Sequence, residues 1–269
     1  MATGGIKYLI LGDGYIGNYL KEHLDKSVIF KARMSTETNE LNKLIELYSP
    51  EAVINCIGKT GNPNVDWCED NKFDTFYANT LLPYSFATTC RINQTTFINI
   101  GTGCVFESDT PLDDNAKPNF FGSFYSRTKL MTEDVLSENE YCVNLRIRLP
   151  ISGTDSPKNF LSKAKKYKKI TDIQNSVTYV TDLVNAIEFV VDKHMYGNIN
   201  VVHPNTISIK EVVETIGRTD YEVATQEELG IGARANTILE PKKLTLAGFK
   251  FVDEKKELLK CSWEMDENE

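Results

Sequence analysis

The stretch Ile6-Lys-Tyr-Leu-Ile-Leu-Gly-Asp-Gly-Tyr-Ile-Gly17 contains the features that predict the fold. Its apolar run from Ile6 to Leu11 is typical of a parallel β-strand that helices cover on both faces. Gly12, Gly14 and Gly17 follow at the GxGxxG spacing of a dinucleotide-binding turn, and an amphipathic helical pattern comes next. Strand, glycine turn and helix in this order predict the start of a Rossmann-type fold.

The alternation of strand and helix patterns continues along the chain. Further β-rich runs lie at 27–32, 52–57, 96–100 and 143–147, and helical patterns at 66–92 and 124–136. We therefore predict an α/β fold with a doubly wound parallel sheet, in which residues 1–150 form the NADP-binding domain. After this point come a lysine-rich stretch at 158–169, helical patterns at 181–193 and 208–216, and a charged tail. We expect residues 151–269 to form a small substrate-binding lobe, with some return to the core.

Composition excludes several classes of protein. The 269 residues include 30 Lys and Arg against 38 Asp and Glu, a net charge of −8, and 41% are hydrophobic, as in an ordinary globular protein. This balance argues against nucleic-acid binding, and no apolar run approaches the roughly 20 residues of a membrane span. The six cysteines and three histidines show no metal or disulfide spacing. We expect a cytoplasmic protein with reduced thiols, no bound metal and no membrane contact.

The glycine turn predicts a nucleotide cofactor. Gly12 permits the tight turn, Gly14 lets a pyrophosphate approach the backbone, and Gly17 allows close packing of helix against strand. Tyr15 and Ile16 lie within the turn, so we include them among the cofactor contacts. The alternative is a turn without a ligand.

The end of the second strand indicates which cofactor binds. A carboxylate there binds the ribose 2′-hydroxyl of NAD, whereas a cation accepts the 2′-phosphate of NADP. The chain has Lys31-Ala-Arg33 and neither Asp nor Glu at this point. This favours NADPH over NADH, with Arg33 on the 2′-phosphate, and the alternative for Arg33 is a solvated strand end.

A tyrosine and a lysine four residues apart suggest the chemistry. Tyr125 and Lys129 start a predicted helix and share one of its faces. A nearby ammonium stabilises a phenolate, whose ordinary pKa is about 10, so that Tyr125 can protonate a carbonyl while hydride arrives from a nicotinamide. YxxxK alone is a frequent accident, but here it accompanies a glycine turn and a hydroxyl, Thr102, after a buried strand.

These motifs together resemble the extended short-chain dehydrogenase/reductase family. The residues that carry the resemblance are the glycine turn at 12–17, Asn55-Cys56-Ile57-Gly58, Asn79, Thr102, Tyr125 and Lys129. The resemblance implies that Thr102 and Tyr125 bind the substrate oxygen and that Lys129 also holds the nicotinamide ribose. It implies cofactor contacts at Cys56, Ile57, Gly58 and Asn79, and a homodimer.

Three longer segments are more specific. The segments 61–69, 101–106 and 118–126, extended by 146–151 and 157–160, resemble the nucleotide-rhamnose synthases, or epimerase-reductases, related to dTDP-4-dehydrorhamnose reductase. Membership implies conversion of UDP-4-keto-6-deoxy-D-glucose to UDP-L-rhamnose by 3,5-epimerisation and NADPH-dependent 4-reduction. It also implies substrate contacts at Asn62 and Asn159.

Epimerisation needs proton donors and acceptors beyond Tyr125. Cys104 lies two residues after Thr102, and thiols exchange protons near neutrality; its alternative is a small buried cysteine. Lys163 is the second candidate, since a desolvated lysine titrates near neutrality. The lysines at 165, 166, 168 and 169 form either a solvated helix face or an attractive surface for the UDP diphosphate.

Two other functions remain open. One is a reductase that depends on a separate epimerase, and Cys104 and Lys163 are the residues that distinguish it. The other is a catalytically silent NADP-binding regulator, against which the intact Thr102, Tyr125 and Lys129 argue. The nucleotide is either UDP or dTDP.

Overall fold

A computed structural model of the chain describes residues 5–62, 64–229 and 236–267. The strands are β1 (Tyr8–Leu11), β2 (Ser27–Phe30), β3 (Ala52–Asn55), β4 (Thr96–Thr102), β5 (Ser108–Leu112), β6 (Cys142–Ile147), β7 (Pro150–Ile151), β8 (Lys169–Ile170), β9 (Thr178–Tyr179), β10 (Gly197–Asn200), β11 (Glu222–Val223) and β12 (Thr237–Leu239). The helices are α1 (Tyr15–His23), α2 (Thr38–Tyr48), α3 (Trp67–Asp70), α4 (Lys72–Phe76), α5 (Leu82–Ile92), α6 (Phe124–Ser137), α7 (Phe160–Lys166), α8 (Val180–Asp192), α9 (Ile209–Thr215), α10 (Lys242–Leu246) and α11 (Glu254–Glu267), with a π-helical turn at Tyr77–Leu81. Within the described ranges, every helix is too short or too polar to cross a bilayer.

The chain divides into two compact units that alternate along the sequence. The first unit comprises the described residues of Met1–Val105, Phe121–Arg146 and Ile187–Ile199. The second unit comprises those of Phe106–Phe120, Ile147–Ala186 and Asn200–Glu269. The assignment of a cofactor domain to 1–150 and a substrate lobe to 151–269 stays a prediction.

The central sheet has the order β10-β6-β4-β3-β1-β2. β1 pairs in parallel with both β2 and β3, and β3 pairs in parallel with β4, so that Asn55 lies beside Asn99. Every residue of β1 and β3 is buried, because helices pack against the sheet. One core cluster joins Leu9, Val53 and Phe97 of the sheet to residues of α2, α5 and α6. The predicted Rossmann-type α/β fold is confirmed.

The helical pattern at 66–92 is present, but the segment is interrupted and forms three α-helices and a π-helical turn. α3 ends at Asp70. The next residue, Asn71, has a φ of −120° and a ψ of 51°, which lie outside the helical region, and α4 begins directly after it. A π-helical turn then precedes α5 and contains the buried Asn79. Such turns carry one extra residue and are frequent at functional sites.

Other differences concern the ends of elements and the last segment. β3 ends at Asn55 instead of continuing to 57, because the Asn55 side chain accepts a hydrogen bond from the Ile57 N–H and turns the chain. The charged tail is helical: α11 buries Leu258, Cys261 and Met265. These three have the three- and four-residue spacing of a helix face, a signal that the many charges of the tail obscured.

The second unit has a core of its own. Residues of β7, β9, α7, α9 and α11 form a buried cluster that includes Ile151, Leu161, Tyr179, Val212 and Leu258. Short parallel pairs, β12 with β5 and β11 with β8, lie in the same unit.

Candidate active site

The glycine turn between β1 and α1 has the geometry that its sequence predicts. Gly12 adopts a φ of +99°, and a Cβ there would lie 2.8 Å from Cγ1 of Ile57. A Cβ on Gly17 would overlap the carbonyl oxygen of Gly12. In contrast, a Cβ on Gly14 would meet nothing within 4 Å, and no side chain caps the start of α1 there. A helix N-terminus beside open space fits an incoming pyrophosphate.

The other predicted cofactor contacts lie near this turn or on the adjacent strands. Tyr15 and Ile16 begin α1 and are half-buried. Cys56 and Ile57 follow β3, where Ile57 contacts the turn at Gly12. Arg33 lies three residues beyond the end of β2 and is exposed. Its position is compatible both with a phosphate contact and with a solvated strand end.

Asn79 holds the loop after β3. Its Oδ1 accepts a hydrogen bond from the Lys59 N–H at 2.7 Å, and its Nδ2 donates to the Lys59 carbonyl at 3.0 Å. The same Nδ2 also donates to Oγ1 of Thr128 on α6 at 3.2 Å. A Cβ on Gly58 would lie 3.3 Å from Oδ1 of Asn79. Asn79 therefore joins the loop after β3 to α6, and direct contact between Asn79 and a cofactor stays a prediction.

Two hydrogen bonds join α6 to the end of β4 and the residues after it, and a third lies within that end. Lys129 Nζ donates to the Ile100 carbonyl at 2.9 Å, and Ser126 Oγ donates to the Cys104 carbonyl at 2.8 Å. On the β4 side, the Cys104 N–H donates to Oγ1 of Thr102 at 3.1 Å. α6 begins at this place because the Ser123 side chain caps it by accepting from the Ser126 N–H. The tertiary structure thus brings Thr102, Cys104 and Lys129 together.

Burial controls the charges in this region. It lowers the pKa of Lys129 from 10.5 to about 8, and the negative charge of Glu133 is the largest effect that opposes this shift. Burial also raises the pKa of the Cys56 thiol to about 12, and Lys129 partly opposes this. Cys56 therefore stays a thiol near neutral pH, whereas Lys129 titrates close to it. A lysine poised in this way is typical of functional sites.

Tyr125 lies one helical turn before Lys129 on α6. Its side chain is 8% exposed, about as buried as those of Thr102 and Lys129. The phenol, the hydroxyl and the ammonium are thus held on two adjoining elements, α6 and β4, and all three side chains are shielded from water. In such surroundings an ammonium acts more strongly on a neighbouring phenol than it would in water.

Two predicted site residues, Asn159 and Lys163, lie in the second unit. Asn159 caps α7, accepting from the Leu161 N–H and donating to the Ser152 and Thr154 carbonyls at 2.7 and 2.8 Å. These bonds give its buried amide a structural role. Lys163 is half-buried on α7. Their contacts with substrate stay predictions.

The lysines after Lys163 are engaged with acids of the second unit. The ion pairs are Lys165–Asp266, Lys166–Asp155, Lys168–Asp220 and Lys169–Glu222. This pairing favours the solvated face over the diphosphate surface. In the first unit, Asn62 is exposed, and its neighbour Pro63 lies outside the described residues.

The sequence analysis missed the groups behind Lys129. Glu133, one turn further along α6, is buried and forms an ion pair with Arg146 of β6. The available signal was Arg146, a charged residue within a strand pattern, which needs a partner of opposite charge if the strand is buried. Among the described residues, no group of three or more His, Cys, Asp or Glu side chains is arranged to hold a metal ion.

Comparison with known proteins identifies the family. The model of the RmlD substrate binding domain matches residues 7–208, about three quarters of the chain. The chain belongs to the RmlD family. Among its relatives in Arabidopsis thaliana, a bifunctional dTDP-4-dehydrorhamnose 3,5-epimerase/dTDP-4-dehydrorhamnose reductase is 31% identical over 98% of this chain and 94% of its own length.

Another relative is much longer than this chain. A trifunctional UDP-glucose 4,6-dehydratase/UDP-4-keto-6-deoxy-D-glucose 3,5-epimerase/UDP-4-keto-L-rhamnose-reductase from the same plant is 33% identical over 96% of this chain. The match covers 42% of that protein, so the chain spans less than half of its length.

Solved structures support the same family. A UDP-rhamnose synthase from Acanthamoeba polyphaga mimivirus superposes with a TM-score of 0.87 at 26% identity, over 97% of this chain and 100% of that one. A dTDP-4-dehydrorhamnose reductase from Bacillus anthracis, solved in complex with NADP, has a TM-score of 0.81 at 21% identity and covers 96% and 99%. At 21% identity, the similarity to the Bacillus anthracis structure shows a shared fold alone. The family resemblance predicted from the motifs is confirmed.

Proposed function

We propose that the chain is an NADPH-dependent reductase of nucleotide-linked 4-keto-6-deoxy sugars that also carries 3,5-epimerase activity. Its reaction is the conversion of UDP-4-keto-6-deoxy-D-glucose to UDP-L-rhamnose. The bifunctional plant relative is named for the corresponding pair of activities and matches this chain nearly end to end. We expect a homodimer in the cytoplasm.

The observation that carries the proposal is the attachment of α6 to the end of β4. Lys129 bonds to the Ile100 carbonyl, its pKa is about 8, and Thr102 and Cys104 follow on the same strand and loop. When bound, a nicotinamide cofactor would supply the hydride that C4 of the sugar gains. Thr102 and Tyr125 bind the C4 oxygen, Tyr125 donates the proton that this oxygen gains, and the Lys129 ammonium stabilises the phenolate left behind.

The same polar groups serve epimerisation. Removing the proton from C3 or C5 places negative charge on the C4 oxygen as an enolate, which Thr102 and Tyr125 stabilise by hydrogen bonds. Cys104, half-buried beside Thr102, is assigned to proton exchange at these carbons, and Lys163 is the second candidate. Each exchange removes a proton from one face and returns one to the other, so the carbon is inverted without net oxidation.

The glycine turn and Arg33 are assigned to the cofactor. The open space at Gly14 fits the pyrophosphate, and the exposed Arg33 supplies the cation for the 2′-phosphate. Cofactor contacts at Tyr15, Ile16, Cys56–Gly58 and Asn79, and substrate contacts at Asn62 and Asn159, complete the proposal.

The decisive experiment supplies UDP-4-keto-6-deoxy-glucose and NADPH in D₂O without another epimerase. We expect NADPH oxidation and UDP-L-rhamnose with deuterium at C3 and C5, measured by NMR. If NADPH is oxidised only after a separate epimerase is added, the chain is a reductase without epimerase activity. No oxidation in either case would refute the reductase and favour another substrate or a silent regulator.

Matched variants separate the two activities. Tyr125→Phe is expected to lower the reduction rate about 10²- to 10⁴-fold, the range for loss of a general acid, while exposed Tyr84→Phe leaves it unchanged. Cys104→Ser is expected to bind NADPH normally and to lose deuterium incorporation at C3 or C5. Lys163→Met is compared with Lys166→Met, whose exposed lysine pairs with Asp155. Unchanged deuterium incorporation in Cys104→Ser would remove Cys104 from the mechanism.

A further inference from the structure

A row of buried asparagines crosses the central sheet behind Lys129. Asn55 of β3 donates to Oδ1 of Asn99 on β4 at 2.9 Å, and Asn99 donates to Oδ1 of Asn144 on β6 at 2.8 Å. All three side chains are nearly inaccessible to solvent. A buried polar row in the middle of an apolar sheet is costly unless each member is bonded, so its presence calls for a physical reason.

All the amide donors of the row point the same way, and the row ends on a carboxylate. Asn144 Nδ2 donates to Glu133 Oε2 at 3.1 Å and to Asn198 Oδ1 at 3.0 Å. Arg146 holds both oxygens of the same carboxylate, with Nε at 2.9 Å and Nη2 at 2.5 Å. Three donors therefore converge on Glu133 and hold a negative charge in the interior of the first unit.

The other end of the row reaches the loop after β3. Asn55 Oδ1 accepts the Ile57 N–H at 3.1 Å, and Ile57 contacts the glycine turn at Gly12. At the Glu133 end, Lys129 lies one helical turn away on α6, and the two charges attract each other. The row thus connects the loop after β3 with the lysine of the proposed reaction.

We propose that Glu133, held by Arg146 and the asparagine row, is a positioning residue that keeps the buried Lys129 charged. The inference rests on the proposed function. The groups that act on the Lys129 charge are Glu133 on its own helix, Cys104 after β4 and Cys56 after β3. Of these, Glu133 supplies the carboxylate charge, which opposes the desolvation of the ammonium.

The first test measures the Lys129 titration directly, without cofactor or substrate. The protein is labelled with [¹³Cε]lysine, and the Lys129 signal is assigned with Lys129→Arg. We expect a midpoint near pH 8 in the wild type, consistent with its pKa. In Glu133→Gln the midpoint is expected to fall by on the order of one pH unit, because an attractive charge is lost. Glu133→Asp, which keeps the charge, is expected to restore most of the difference.

Two controls keep the test independent of folding defects. Asp192→Asn removes a carboxylate that pairs with Lys7 elsewhere in the first unit, and is expected to leave the Lys129 midpoint unchanged. The double variant Glu133→Leu/Arg146→Met removes both buried charges without leaving one unpaired, and is also expected to titrate below the wild type. It replaces Glu133→Gln if that variant does not fold.

The second test connects the charge to turnover. With saturating NADPH, kcat is expected to fall above about pH 8 in the wild type, and this alkaline limb should move down in Glu133→Gln by the same amount as the NMR midpoint. The inference is overturned if the NMR midpoint of Lys129 is unchanged in Glu133→Gln. It is also overturned if the midpoint moves while the alkaline limb of kcat stays in place. Absence of NADPH oxidation by the wild type would instead refute the proposed function, since the NMR titration does not depend on it.

Discussion

Asp182 of α8 allows a stability prediction that is independent of catalysis. The side chain is 1% exposed; its Oδ1 accepts from the Val252 N–H at 3.0 Å, while its Oδ2 has no hydrogen-bond partner among the described residues. Burial raises its pKa from 3.8 to about 7, and repulsion from Glu257 contributes. Asp182 is therefore an acid whose charge the folded second unit disfavours.

The sign and size of the effect follow from linkage. Because the folded-state pKa lies above the unfolded value, the contribution of Asp182 to stability is fully present below about pH 4 and is lost as the pH rises through about 7. The difference between the two pKa values corresponds to at most about 4 kcal/mol. Asp182→Asn keeps an acceptor for Val252 and carries no charge. It should therefore unfold less readily than the wild type at about pH 8 and similarly at about pH 4.

Urea denaturation followed by circular dichroism at several pH values measures this effect. We expect the free energy of unfolding of the wild type to decrease from about pH 5 to about pH 8, and the decrease to be smaller in Asp182→Asn. Asp25→Asn, at an exposed position, serves as the control and should behave as the wild type does. Parallel pH dependences for Asp182→Asn and the wild type would show that the Asp182 charge does not set the stability of the fold.

Three further predictions concern the first unit. Gly17→Ala places a Cβ against a carbonyl of the glycine turn and should lower the Tm. Gly14→Ala, with open space around the new Cβ, should keep the Tm and weaken NADPH binding. Equal losses of Tm in the two variants would contradict the role given to Gly14. Ser126→Ala leaves the Cys104 carbonyl without its α6 donor and should cost about 1–3 kcal/mol in urea denaturation, with Ser137→Ala, at the exposed end of α6, as the control. Arg33→Ala should raise the KM for NADPH at least about tenfold and leave the KM for NADH nearly unchanged. An equal rise in both KM values would show that Arg33 does not contact the 2′-phosphate.

The sheet and the glycine turn were predictable because they depend on local properties. The buried parallel strands are nearly continuous apolar runs, and only glycine suits the positive φ of Gly12 and the close approach at Gly17. Tyr125 and Lys129 lie one turn apart on the helix that their spacing predicts, and Thr102 ends a buried strand. Each of these features involves residues that are near one another in sequence.

The interruption of the helix at 66–92 was not predictable in the same way. Its apolar and helical pattern is continuous enough to suggest one element, yet Asn71 leaves the helical region and the π-helical turn adds a residue around Asn79. Asn79 is bonded to Lys59 and Thr128, which are distant in sequence. Those tertiary bonds outweigh the small local preference for a regular helix.

Sequence alone thus determined the fold class, the place of the glycine turn and the residue types available for reduction, because backbone sterics and hydrophobic periodicity act over short stretches of chain. Only the tertiary structure decided which of these groups meet. The bond from Lys129 to Ile100 and the asparagine row ending at Glu133 join segments up to 45 residues apart. Their effect on the Lys129 charge comes from burial, and burial is a property of the assembled core rather than of any single segment.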